Sequence, residues 1–150
     1  MEQRLDIYAT APDGYKAMLG LETYIARSGL DHTIVELVKM RASQINGCAF
    51  CLDMHSADAI KHGESARRLH VLPAWREVSW FNERERAALA WTESLTLVAQ
   101  TQAPDADYEA VRKVFSDKEI ADLTLLIVTI NGWNRLSVGL RKQPPALNAS

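Results

Sequence analysis

The chain has two cysteines, Cys48 and Cys51, in the run Ile45-Asn46-Gly47-Cys48-Ala49-Phe50-Cys51-Leu52-Asp53-Met54-His55. Two thiols at this spacing can close on each other, and a reversible dithiol–disulfide pair carries two electrons. His55 follows Cys51 by one helical turn, so on a helix a base stands beside one thiol. Glu36, twelve residues before Cys48, can orient or deprotonate that imidazole once tertiary packing brings it there. An ordinary thiol is mostly protonated at neutral pH. A helix N-terminus, an imidazole and a carboxylate each offer a way to raise its thiolate fraction.

The same residue types admit other chemistry. Two cysteines, a histidine and a carboxylate are a legitimate zinc set, although structural zinc motifs usually draw a second ligand pair from a distant knuckle. Free cysteine also packs as a small inert hydrophobe. The coincidence of thiols, base and acid in a 20-residue window, Glu36 to His55, favours the redox reading. His32, His62 and His70 add no helpful ligand spacing and read as surface or capping residues.

The elements that must position this group are helical. Nearly every long segment has a helical period, and none alternates in the manner of a strand, so the fold class is all-α with about six to eight helices. The first helix is expected over Pro12 to Ser28 and the second over His32 to Gln44, with Asn46-Gly47 as a breaker. The cysteines then open a third helix, Cys48 to His62, whose buried side continues through Ala57 and Ile60. Short helices follow at Ser65 to Leu72 and Ala74 to Val78. A long one spans Asn82 to Gln100, with Asn82 as its N-cap. After Asp105 to Phe115, Ser116-Asp117-Lys118-Glu119 has the form of a capping box and starts a final helix to about Leu140.

A length of 150 residues fits one domain, residues 1–150, with a substantial apolar core. The net charge is −2 with acids and bases interspersed, which gives no basic face for nucleic acid and no polybasic membrane patch. The longest apolar stretch, Leu123 to Ile130, is far short of the roughly 20 residues a membrane span requires. The N-terminal Met-Glu-Gln-Arg-Leu-Asp lacks the pattern of a signal peptide, so a cytoplasmic location is expected. In that reducing compartment a Cys-x-x-Cys pair is more often catalytic, redox-sensing or metal-binding than a permanent staple.

Glu36, Cys48, Cys51 and His55 meet the pattern Glu-x11-Cys-x2-Cys-x3-His. With Leu37 to Cys48 before the motif, Ala74-Trp75-Arg76-Glu77 after it and Ile130 to Leu136 near the end, the chain resembles the AhpD-like alkylhydroperoxidases of the carboxymuconolactone decarboxylase superfamily over essentially its whole length. The resemblance implies an all-helical protomer assembled as a homotrimer or homohexamer. It implies reduction of organic hydroperoxides without haem, flavin or metal: Cys51 attacks, Cys48 resolves, Glu36 and His55 relay protons, and a dithiol partner protein reduces the disulfide. The superfamily's decarboxylase branch lacks the cysteine pair.

AhpD proteins often have a histidine directly before the second cysteine; here that residue is Phe50, which transfers no protons. Helix-terminus electrostatics favours Cys48 as attacker, whereas adjacency to His55 and the resemblance favour Cys51, which is taken as the attacking thiol. Trp91, Trp133, Asn134 and Arg135 read first as core packing and a surface ion pair, and second as lining the site or an interface. A redox-sensing or disulfide-exchange oligomeric module and a metal-binding domain are the competing functions.

Overall fold

The structure is a computed structural model and describes residues 1–147. Among these residues the chain is all-helical, with no strand: α1 Ile7–Thr10, α2 Pro12–Arg27, α3 His32–Asn46, α4 Ala49–Lys61, α5 Ala66–Val71, a 3-10 helix Leu72–Glu77, α6 Glu83–Thr96, α7 Val98–Thr101, α8 Asp105–Arg112 and α9 Asp117–Leu140. The four-residue helices α1 and α7 raise the count above the six to eight expected.

Local signals set most boundaries. Capping boxes Asn82–Glu85 and Ser116–Glu119 begin α6 and α9, each side chain accepting from the other's backbone N–H. The helix expected over Asn82 to Gln100 breaks at Leu97 (φ −101°, ψ 30°), where the Thr101 hydroxyl donates to the Ser94 carbonyl at 2.6 Å. Side-chain bonding of this kind competes with the helical ladder, and α7 results.

The centre of the fold is α3. Ile34, Val35 and Val38 enter one apolar cluster with Trp91, Phe115, Leu123, Leu126 and Ile127. Leu37 and Met40 enter a second with Leu69, Leu72, Trp75, Phe81 and Leu89. A helix covered on two sides also buries its polar residues, here Glu36, Lys39 and Ser43. They stand at i, i+3 and i+7, one stripe of the helix. Burying such groups costs several kcal/mol unless each finds a partner, so this stripe dictates what packs against it.

Ser43 and Asn46 are clamped to α9. Asn46 Nδ2 donates to Asn131 Oδ1 and Asn134 Oδ1, both at 2.9 Å, and Asn134 donates to Ser43 Oγ at 3.0 Å. The clamp holds the end of α3, where Gly47 adopts the left-handed conformation (φ 66°) and Cys48 N–H donates to Ser43 O at 3.0 Å. A β-carbon on Gly47 meets nothing within 4 Å, so the effect of Gly47→Ala is conformational alone. We expect this variant to lose about 1 kcal/mol in urea unfolding, the order of the left-handed penalty; an unchanged midpoint counts against the cap.

Candidate active site

Cys48 is the N-cap of α4, with extended backbone (φ −88°, ψ 96°), and its sulfur accepts the Cys51 N–H at 3.3 Å. The expected helix from Cys48 thus begins one residue later. The extended cap brings the α-carbons of Cys48 and Cys51 to 5.3 Å and the two sulfurs are joined in a disulfide, within the usual α-carbon range for such a bond. Both cysteines sit where the partial positive charge of the helix N-terminus favours a thiolate.

The buried side of α4 is Cys51, His55 and Ala59, at four-residue steps. It is not the side through Ala57 and Ile60: Ile60 is 50% exposed. The chemistry-bearing residues themselves occupy the stripe that packs on α3. There His55 Nδ1 lies 3.5 Å from Glu36 Oε2, and both side chains are buried. Among the described residues neither atom makes another hydrogen bond, and the separation is at the outer limit for one. A small closing movement of either side chain completes the pair.

Burial by itself pushes the Glu36 carboxyl up. The adjacent His55 imidazole, then the charges of Lys39 and His32, outweigh it and hold the group below the usual carboxylate range. Glu36 is therefore an anion at neutral pH. With Nδ1 turned to that anion, His55 Nε2 is the nitrogen left for a thiol.

Cys51 and His55 border a cavity of about 600 Å³ whose wall includes Phe50, Met54, Tyr15, Trp133 and Leu140. Cys48 and Glu36 do not border it. This distinguishes two cysteines that are otherwise equally buried, each 1% exposed. A cation and an indole donor in the wall share one carboxylate: Lys39 Nζ donates to Glu22 Oε2 at 2.9 Å, and Trp133 Nε1 donates to Glu22 Oε1 at 3.0 Å. Lys142 Nζ stands 4.1 Å over the Phe50 ring, a cation–π contact where a histidine is often found in the resembled proteins.

The four residues expected to form the site, Glu36, Cys48, Cys51 and His55, thus come together around the start of α4. Of the secondary candidates, Trp133 borders the cavity. Asn134 belongs to the α3–α9 clamp, Arg135 donates to Asn131, and Trp91 is a core residue whose Nε1 donates to Thr124 Oγ1 at 3.1 Å. The Glu22–Lys39 pair in the cavity wall was not foreseen; the signal for it was a lysine on the one face of α3 that the core must cover. Among the described residues no group of three or more histidine, cysteine or acidic side chains is arranged to hold a metal ion, and no helix is long and apolar enough to cross a membrane.

A family model described as carboxymuconolactone decarboxylase family matches residues 12–94. The uncharacterized protein YdfG of Bacillus subtilis (strain 168) is 43% identical over 140 residues, covering 93% of this chain and 95% of its own. Alkyl hydroperoxide reductase AhpD of Maricaulis maris is 38% identical over 56 residues, covering 37% of this chain and 30% of that protein. Among solved structures, a protein of unknown function from Agrobacterium tumefaciens, suggested to be the antioxidant defence protein AhpD, superposes with a TM-score of 0.94 at 43% identity, covering 97% and 99% of the two chains.

Proposed function

The chain belongs to the carboxymuconolactone decarboxylase family, in its AhpD-like part, and on that premise we propose that it is a thiol-dependent peroxidase that reduces organic hydroperoxides. The observation that carries the reading is the Cys48–Cys51 disulfide with Cys51 and His55 in the wall of one large cavity and Glu36 behind the imidazole.

In the reduced protein His55 takes the Cys51 proton, and Glu36 stabilises the resulting imidazolium. The Cys51 thiolate attacks the terminal oxygen of the hydroperoxide. As the oxygen–oxygen bond breaks, the departing alkoxide takes the proton back from His55 and leaves as alcohol, and Cys51 is a sulfenic acid. The Cys48 sulfur then attacks the Cys51 sulfur; hydroxide leaves with the Cys48 proton as water. Two thiols have supplied two electrons. A dithiol partner protein restores them by thiol–disulfide exchange. The mostly apolar wall suits an organic hydroperoxide. We place the activity in the cytoplasm and in a homotrimer or homohexamer, as the AhpD-like resemblance implies.

The test is to mix the reduced protein with one equivalent of cumene hydroperoxide. We expect stoichiometric cumyl alcohol and a protein lighter by two hydrogens, its thiols no longer alkylatable. Peroxide consumption no faster than that of the double variant Cys48→Ser, Cys51→Ser refutes the proposal.

A further inference from the structure

Glu36 stands between two cavities. On one side its Oε2 faces His55, which borders the cavity of Cys51. On the other, Glu36 itself borders a second cavity of about 280 Å³, together with His32, His62, Glu64, Arg68 and Glu85. His32 Nε2 lies 3.9 Å from Glu36 Oε1, and the His32 side chain is half-exposed. The His32 and His62 rings are in contact, tilted at 58° with centroids 4.0 Å apart. Imidazole, carboxylate and imidazole thus form a row from the buried thiol cavity to solvent.

Resting on the thiol chemistry above, we propose that His32 is the outer end of a proton route, His32 to Glu36 to His55, that reprotonates the cysteine pair when its disulfide is reduced. The balance of the two half-reactions says where such a route matters. In the oxidative half the two thiol protons leave in the alcohol and the water, and nothing is drawn from outside. In the reductive half a dithiol attacks as thiolate, having lost its proton to solvent. The Cys48–Cys51 bond breaks and a mixed disulfide forms; the second reductant sulfur, likewise deprotonated to solvent, then attacks the reductant sulfur of that mixed disulfide and releases the protein sulfur. Two electrons pass to Cys48 and Cys51, and both sulfurs need a proton.

Both are 1% exposed, and a buried thiolate is costly, so the protons must be brought to them. His55 can give one directly and be recharged through Glu36. The 3.9 Å step from Glu36 to His32 is closed by rotation of the half-exposed ring or by one bridging water.

The other groups facing His32 leave it suited to this task. At the C-cap of α4, His62 has its Nδ1 2.8 Å from the Asp58 carbonyl. From the α5 side, Arg68 is held by Glu64 at 3.1 Å and by Glu85 of α6 at 2.9 Å, so the guanidinium is paired and the trio carries a net charge of −1. The remaining groups in this cavity that can accept a proton on one ring nitrogen and donate from the other are the two imidazoles, and His32 is the one against Glu36.

The test uses the oxidised full-length protein with dithiothreitol as reductant, followed by rapid acid quench and thiol alkylation. We expect His32→Gln and His32→Asn to slow disulfide reduction about three- to tenfold, a fraction of a full general-acid contribution. Added imidazole should restore the rate, and oxidation of the reduced variants by one equivalent of cumene hydroperoxide should run at the wild-type rate. A wild-type reduction rate, a loss that imidazole does not restore, or an equal slowing of oxidation overturns the proposal. The reduction arm needs no peroxide, so it reads the route even if the chain proves not to be a peroxidase.

Discussion

Cys51→Ser should abolish hydroperoxide turnover, lowering it by about three orders of magnitude or more, the scale of removing a nucleophile from a cooperating group. Cys48→Ser should behave differently. It keeps the sulfur that borders the cavity and loses the one that does not, so the reduced variant should consume one equivalent of peroxide and stop, with one oxygen added at Cys51. The helix N-terminus acts on both sulfurs, so electrostatics alone does not separate them. Access does: a peroxide in the cavity meets Cys51 and His55 together. Mass spectrometry of each variant after one equivalent of peroxide decides the order. Oxygen addition at Cys48 in Cys51→Ser, with no reaction in Cys48→Ser, reverses the assignment.

The second large effect concerns the scaffold. Glu93 on α6 accepts from Arg41 Nε of α3 and from Trp75 Nε1 of the 3-10 helix, both at 2.9 Å, and also pairs with Arg76. Burial pushes its carboxyl up, but the donors Arg76, Trp75 and Arg41 outweigh burial and hold it below the usual range. Glu93→Gln keeps the shape and leaves the Arg41 guanidinium, 16% exposed, without its anion. Breaking one side of such a pair should cost about 3 kcal/mol at pH 7.

The sign with pH follows from the depressed folded-state value. The ionised carboxylate contributes its full stability above the unfolded-state range of about 4.3, and the contribution is lost as pH falls through the lower folded-state value. The difference between wild type and variant in urea unfolding should therefore narrow below about pH 4. An equal midpoint at pH 7 rules out this account of how the 3-10 helix is held to α3 and α6.

Features with local causes were legible in the sequence. The capping boxes at Asn82 and Ser116, the Gly47 stop and the grouping of Glu36 with Cys48, Cys51 and His55 depend on neighbours within a turn or on a distinctive spacing. Features made by distant partners were not. Lys39 has the look of a solvated helix base until Glu22 and Trp133 are placed against it, across separations of 17 and 111 residues to Lys39 and Glu22 respectively. Asn46 signalled a turn, and its second role, holding α3 to α9 through Asn131 and Asn134, appears only once α9 is in place.

Side choice on α4 failed for a related reason. Ile60 is the more apolar residue, yet the stripe Cys51–His55–Ala59 is buried because α3 offers Glu36 there. A polar partner outweighed hydrophobicity in setting the face. His32, taken as a surface or capping residue, is half-exposed as expected, and its distance to Glu36 follows from α3 alone, four residues along one helix.

The Cys48–Cys51 bond spans a sequence separation of 3. On the chain-entropy account so short a loop removes only about 2 kcal/mol of freedom from the unfolded ensemble, against about 4.7 for a loop of about a hundred residues. Most of the fold's stability therefore lies elsewhere, in the two apolar clusters around α3 and the clamp to α9. The crosslink is confined to the N-terminal cap of one helix, apart from both apolar clusters and the clamp. In the proposed thiol chemistry each turnover makes and breaks a link within a single helical turn, a cycle that leaves the main sources of stability untouched.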